Sequence, residues 1–174
     1  MIILLLISIL LVALYTGAAI WTHKELPDSV SSMVYYLPKQ GKWLWTVWIW
    51  AATYTLTPAL FEVIPENFGV IAHAFATSVL FVGAMPLVKD ESNKAHNVLG
   101  ISAGIFSQLC VLLICPWCLA LWGVMGILMA VCVGVLGKNC IIPKFLNGKG
   151  VFVAEVICYI TIVTSLLIHY SKII

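Results

Sequence analysis

Residues 95–137 contain no Asp, Glu, Lys or Arg, and a run of that length confines the chain to very few folds. As one α-helix it would extend about 64 Å, twice the hydrocarbon thickness of a bilayer, so it must reverse. Pro116 marks the reversal, because proline drives the residue before it out of helical conformation and is itself accepted in a helix's first turn. The remaining chain is of the same kind, 63% hydrophobic and 9% charged, which is more apolar surface than a soluble core of this size can hide. Spans of about 20 apolar residues are expected at 2–21, 43–64, 69–88, 96–114, 118–137 and 151–170. The expected fold is all-α, a polytopic transmembrane bundle of about six helices. No internal repeat, low-complexity tract or linker divides it, so residues 1–174 form a single integral membrane domain.

All nine basic residues are Lys. Lys24, Lys39, Lys42, Lys89, Lys94, Lys138, Lys144 and Lys149 fall in the first, third and fifth connections, leaving only Lys172 for the other face. The positive-inside rule makes the Lys-rich face cytoplasmic and both termini extracytoplasmic, as expected in a bacterial inner membrane. Met1-Ile2-Ile3 supplies no basic region for a signal peptide, so a retained first helix is favoured over cleavage near Thr16-Gly17-Ala18. A net charge of +2, scattered along the chain, points to no nucleic-acid partner. The expected partners are the lipid bilayer and either another protein or a second copy of the chain.

Trp21, Trp43, Trp45, Trp48 and Trp50 are expected to form an aromatic belt at the cytoplasmic interface. Between them Pro27 and Asp28 look like a helix start, and Val30, Met33, Val34 and Leu37 follow at i, i+3, i+4 and i+7. A short interfacial helix is expected, lying on the headgroups rather than docking a partner. Gly100 and Gly104 make a GxxxG expected to serve close helix packing inside the bundle.

Six cysteines occur, at 110, 115, 118, 132, 140 and 158. The CxxC of Cys115 and Cys118 falls at the Pro116 turn, on the outer and more oxidising side. With Pro116 at the first helical position, Cys115 becomes the N-cap and Cys118 lies one turn on. Both thiols then face the positive end of the helix dipole, which lowers thiol pKa and favours disulfide exchange. Cys110, two turns or less below them, reads as a small apolar filler.

The run Leu113-Ile114-Cys115-Pro116-Trp117-Cys118-Leu119 resembles the membrane-embedded CxxC of vitamin K epoxide reductase homologues. The resemblance implies thiol-disulfide exchange at Cys115 and Cys118, with a quinone held near Trp117 and Trp122. Those homologues carry a second cysteine pair in an outer loop, whereas here the outer loop is Pro65-Glu66-Asn67-Phe68, without cysteine. A wider run, Pro27-Asp28-Ser29-Val30-Ser31-Ser32-Met33-Val34-Tyr35-Tyr36-Leu37 with Phe81-Val82-Gly83-Ala84-Met85-Pro86-Leu87 and a basic loop ending in His96, resembles uncharacterised small multi-pass membrane proteins of Bacteroidetes and their phages. That likeness implies fold and source, and no activity.

Glu155 lies about one turn inside the last span, where a snorkelling or lysine-paired rim acid is favoured over a proton or ion site. Glu62, Glu66, His73 and His169 lie near outer helix ends and meet beside the CxxC only if those helices pack together. A zinc hydrolase is disfavoured and no metal is expected, because His73 and the pair His23 and His96 fall at opposite faces. No phosphate loop, nucleophile elbow or HExxH helix occurs. Pro58 and Pro86 interrupt two spans without the paired halves of a transporter. These observations favour an integral membrane protein that acts as a non-catalytic structural or interaction component, without cofactor. The alternative is a quinone-linked thiol-disulfide oxidoreductase using Cys115 and Cys118.

Overall fold

The computed structural model describes residues 1–85, 93–136 and 149–172, with backbone alone at 93, 94, 129 and 132–136. Pro86, Lys89, Lys138, Cys140 and Lys144 lie outside the described residues, as do the side chains of Lys94 and Cys132. All regular structure in the described residues is helical. The helices are α1 (Ile2–His23), α2 (Lys42–Val63), α3 (Gly69–Ala84), α4 (Asn93–Ile114), α5 (Ala120–Leu136) and α6 (Gly150–Ser171). Short 3-10 turns occupy Ser31–Tyr36, Lys39–Gly41, Glu66–Phe68 and Pro116–Leu119.

Four stretches are long and apolar enough to cross a membrane: Ile2–His23, Glu66–Ala84, Ala95–Ile114 and Gly150–Ser171. Their outward faces stay apolar, with Ile3 74% exposed, Val70 73% and Ile101 63%. A soluble protein does not present side chains of that kind over a whole surface. The helix α2 is equally long but richer in Thr and Trp, and it is also the most buried, contributing Trp45, Thr46, Trp48, Ala52, Thr53, Leu56, Thr57, Ala59 and Leu60 to the interior. Its threonines are tolerated because Thr53, Thr55 and Thr57 donate to carbonyls one turn back and Thr46 donates across to Gly83.

Successive helices pack as neighbours from α1 to α4; α6 then packs on α4 and returns to α1 and α2, closing a ring. The described lysine-bearing end carries the α1–α2 connection and the start of α6, joined by the Phe152 N–H bonded to the Asp28 carbonyl. At the opposite end Tyr170 donates to Glu62, tying α6 to α2. The break at Pro116 stands where the sequence places it: α4 ends at Ile114, and Cys115, at φ −153°, caps the 3-10 turn. The body of α5 leans little on the ring, with Val124, Ile127, Leu128 and Val131 at 50–65% exposure.

Three expectations need correction. The segment after Pro27 is a 3-10 turn driven into the bundle, with Met33 at 0% and Val34 at 2% exposure, because its apolar residues find a gap between helix ends to fill. The tryptophan belt divides: Trp21 and Trp43 are exposed, whereas Trp45 and Trp48 are buried, Trp48 stacking on Tyr15 at 4.2 Å. The GxxxG is not a close helix contact. A β-carbon on Gly100 would meet nothing within 4 Å, and one on Gly104 would meet only Cys158 Sγ at 3.9 Å. The close approach lies at Gly83 of α3, where a β-carbon would come within 2.1 Å of Ile49 Cγ2.

Candidate functional site

The loop from Pro27 to Pro38 closes the lysine-bearing end of the ring as a lid. Pro27 is fully buried, and Asp28 binds α6 twice, through the Phe152 N–H on its carbonyl and through Lys149 on its carboxylate. The Asp28 carboxylate holds the Lys149 ammonium above its ordinary pKa. Next along, the Val30 N–H donates to Glu155 Oε2 at 2.5 Å. Ser29 and Ser32 bond reciprocally to each other's backbone and side chain, which fixes the turn that presents Val30. The far side is pinned by His23 stacked on Tyr36, centroid to centroid 3.8 Å, and by the Lys42 ammonium over the Tyr35 ring.

Among the described side chains Glu155 pairs with no lysine. Lys149 is committed to Asp28, and the carboxylate accepts a main-chain donor from a segment remote in sequence. Physically, the lid's first turn offers an unpaired N–H that would otherwise be buried without an acceptor.

Beneath the lid is a cavity of about 1240 Å³, walled by α1, α2, α3, α4 and α6. Glu155, His96, Asn97 and the serines of the lid stand at the lid end. Farther in, the walls are mainly apolar, as at Ile9, Leu56, Phe75, Val79 and Ile162, and the polar groups there are bonded to protein: Thr53 to the Ile49 carbonyl, Ser107 to the Gly104 carbonyl and Tyr159 to Ser8. The missing side chains of Gly100 and Gly104 widen the α4 wall. The space is amphipathic from end to end.

Two polar networks brace the ring around this space. Ser8 of α1 donates to the Ala52 carbonyl at 3.0 Å and pairs with the Tyr159 hydroxyl, linking α1, α2 and α6. Gln108 of α4 accepts from Trp122 Nε1 at 2.9 Å and Thr161 at 3.2 Å and donates to Ser107 at 2.9 Å. It is the bond by which Trp122 fastens the start of α5 to the ring.

Cys115 and Cys118 are both free thiols in one turn, the Cys118 N–H donating to the Cys115 carbonyl at 3.0 Å. Cys115 caps the four-residue 3-10 turn Pro116–Leu119, and Cys118 lies within that turn, ahead of α5, packed against the apolar core. Trp117 is 84% exposed and lines neither the cavity nor the groove, whereas Trp122 lines that shallow groove of about 510 Å³ with Gln108, Leu112, Leu119 and Cys158. Cys110 is fully buried in the core.

Of the other outer residues, Glu62 accepts from Tyr170 at 2.9 Å and His73 packs on Phe61 with its Nδ1 at the Gly69 carbonyl. Among the described residues no three His, Cys, Asp or Glu side chains converge as metal ligands. Sequence reasoning passed over Trp45 and Thr16 as cavity residues. Nothing in their spacing separates a belt tryptophan from a wall tryptophan. No protein-family model, curated protein or solved structure matches the chain.

Proposed function

We propose that the chain is a multi-pass protein of a bacterial inner membrane, lysine-bearing end inward and both termini outward, that works without catalysis by holding an amphiphilic molecule in the cavity beneath its lid. The observation that carries this reading is the cavity itself. At about 1240 Å³ it exceeds the usual space for a drug-sized ligand, and its carboxyl group, Glu155, stands with the lid serines at one end. Lipid-solvated helices normally pack without such voids, because each unfilled volume forfeits dispersion contacts. The lid, buried and tied to α6 at three bonds, gives the space a fixed ceiling.

The test is native mass spectrometry of protein extracted in mild detergent. One retained amphiphile per chain is expected, lost in Gly100→Leu, which fills the space without meeting any atom within 4 Å of its β-carbon. Identical adducts on both proteins, or none on either, contradict the reading.

A second reading is thiol-disulfide oxidoreduction at Cys115 and Cys118, supported by two free thiols in one turn beside the Trp122 groove. The packing of Cys118 against the apolar core weighs against it. Titration against glutathione buffers with maleimide gel-shift decides: a reversible pair near the glutathione potential supports the enzyme, and thiols that never join dismiss it.

A further inference from the structure

We propose that the cavity takes its occupant sideways from the bilayer, through a window between α1 and α6 on the lysine-bearing side, so that the occupant is a lipid of that leaflet. The inference rests on the amphiphile-holding reading and adds the source of the molecule and its route. Of the five seams in the ring, α1–α6 is the most loosely packed among the described residues. The side-chain bond that crosses it joins Ser8 to the Tyr159 hydroxyl at 3.0 Å. Lidward of that bond α1 presents Ile9, Ala13, Gly17 and Ile20 to the cavity, a stripe at i, i+4, i+8 and i+11. Ala13 and Gly17 each lie about 160° around the helix from Tyr15, which stacks on Trp48 of α2, so the stripe is turned from α2 toward the seam. Both are exposed although they line the cavity, and a β-carbon on Gly17 would meet nothing within 4 Å. Across the seam the wall includes Val156 and Ile160 of α6, with Ile160 45% exposed. Residues that line a cavity and also face outward mark the place where its wall is open.

From Ile9 to Ile20 the stripe runs about 16 Å at 1.5 Å per residue, half the hydrocarbon thickness of a bilayer. It starts beside Ser8 and ends one residue short of Trp21, near the lysine-bearing end of α1. A lipid that slides through keeps its headgroup at the level of Glu155 and the lid serines, and its tail alone passes between the helices. No polar group then has to enter hydrocarbon, which is the costly part of a path through the bilayer centre. The other ways in are fastened. Entry through the lid breaks the Val30–Glu155, Asp28–Lys149 and Asp28–Phe152 bonds together. The α4–α6 seam is bridged by Thr161 and Gln108 at 3.2 Å. The Ser8–Tyr159 pair is thus the outer sill of the window, and the lid is its upper frame.

Photolabelling of the full chain in phosphatidylcholine nanodiscs tests this, with palmitate and monopalmitoylglycerol, each carrying a mid-chain diazirine, as probes. Labelling is read by peptide mapping at Ile49 and Val79, which line the cavity from α2 and α3. Gly17→Cys supplies a thiol at the window for fluorescein maleimide, and wild type treated alike controls for the native thiols. Maleimide added before the probe is expected to cut labelling of Ile49 and Val79 about tenfold. Maleimide added after loading, with a wash in lipid-only nanodiscs before irradiation, is expected to preserve it, because blocking the exit lengthens residence. If Gly17→Cys does not fold or react, Ala13→Cys decides in the same way. Labelling unmoved by maleimide, or lost in either order of addition, overturns the window and leaves the amphiphile reading standing. No labelling of either residue in wild type overturns the window; together with Gly100→Leu indistinguishable from wild type in native mass spectrometry, it overturns both.

Discussion

Glu155 and Val30, 125 residues apart, are joined by a single bond in which a helix carboxylate accepts a loop N–H. That bond fixes the lid over the cavity from the one helix that also carries the acid into the cavity wall. Its neighbour, the Lys149–Asp28 pair, lies at the surface, with Asp28 three-quarters exposed at 75%. Exposed ion pairs contribute little, so the carboxylate–amide bond outweighs the ion pair as a tether.

Replacing Glu155 by Leu leaves the Val30 N–H buried without an acceptor and is expected to cost about 1 to 3 kcal/mol, whereas Gln keeps an acceptor oxygen and retains most of that stability. Asp28→Asn is expected to be nearly neutral, because the Phe152 N–H still meets the Asp28 main-chain carbonyl. Thermal unfolding in detergent ranks the three; a larger loss for Asp28→Asn than for Glu155→Leu contradicts the tether assignment.

Gly83→Ala brings a β-carbon to 2.1 Å from Ile49 Cγ2 and 2.9 Å from Trp50 Cδ1, both on the helix whose Thr46 donates to the Gly83 carbonyl. An Ile γ-methyl on a stiff β-branched side chain cannot swing aside, so about 1 to 3 kcal/mol of destabilisation is expected. Gly100→Ala, with nothing nearby, serves as the control and is expected to hold or gain helix stability. Equal behaviour of the two alanine variants in chemical unfolding refutes the close approach.

Gln108→Leu removes the acceptor for Trp122 and Thr161 together. Thr161 retains the Ile157 carbonyl, so the loss falls on Trp122 and on the attachment of α5. Hydrogen exchange is expected to quicken in α5 while α4 and α6 keep their protection; unchanged α5 protection contradicts the role given to Gln108.

The parts legible in the sequence were those set by one-dimensional pattern. Apolar run length placed the helices, the Pro116 break fell between Ile114 and Ala120, and Lys24, Lys39, Lys42 and Lys149 lie in the α1–α2 connection, at the start of α2 or just before α6. What escaped depends on which way a residue turns at a given depth. Trp43 and Trp45 are two positions apart, yet one is 53% exposed and the other fully buried, and no belt rule distinguishes them. Val30, Met33, Val34 and Leu37 have the spacing of an amphipathic helix, but the loop is shortened and pulled inward by Asp28 and Glu155, partners the pattern does not contain. Gly100 and Gly104 carry the signature of helix contact, and the ring instead leaves them facing open space.

The most direct test of the lipid-holding cavity is an experimental density map of the full chain in a lipid nanodisc. The account predicts continuous elongated density between α1, α2, α4 and α6, its polar end beside Glu155 and the lid. A ring collapsed so that side chains fill the space, or a cavity holding only separate water peaks, contradicts it.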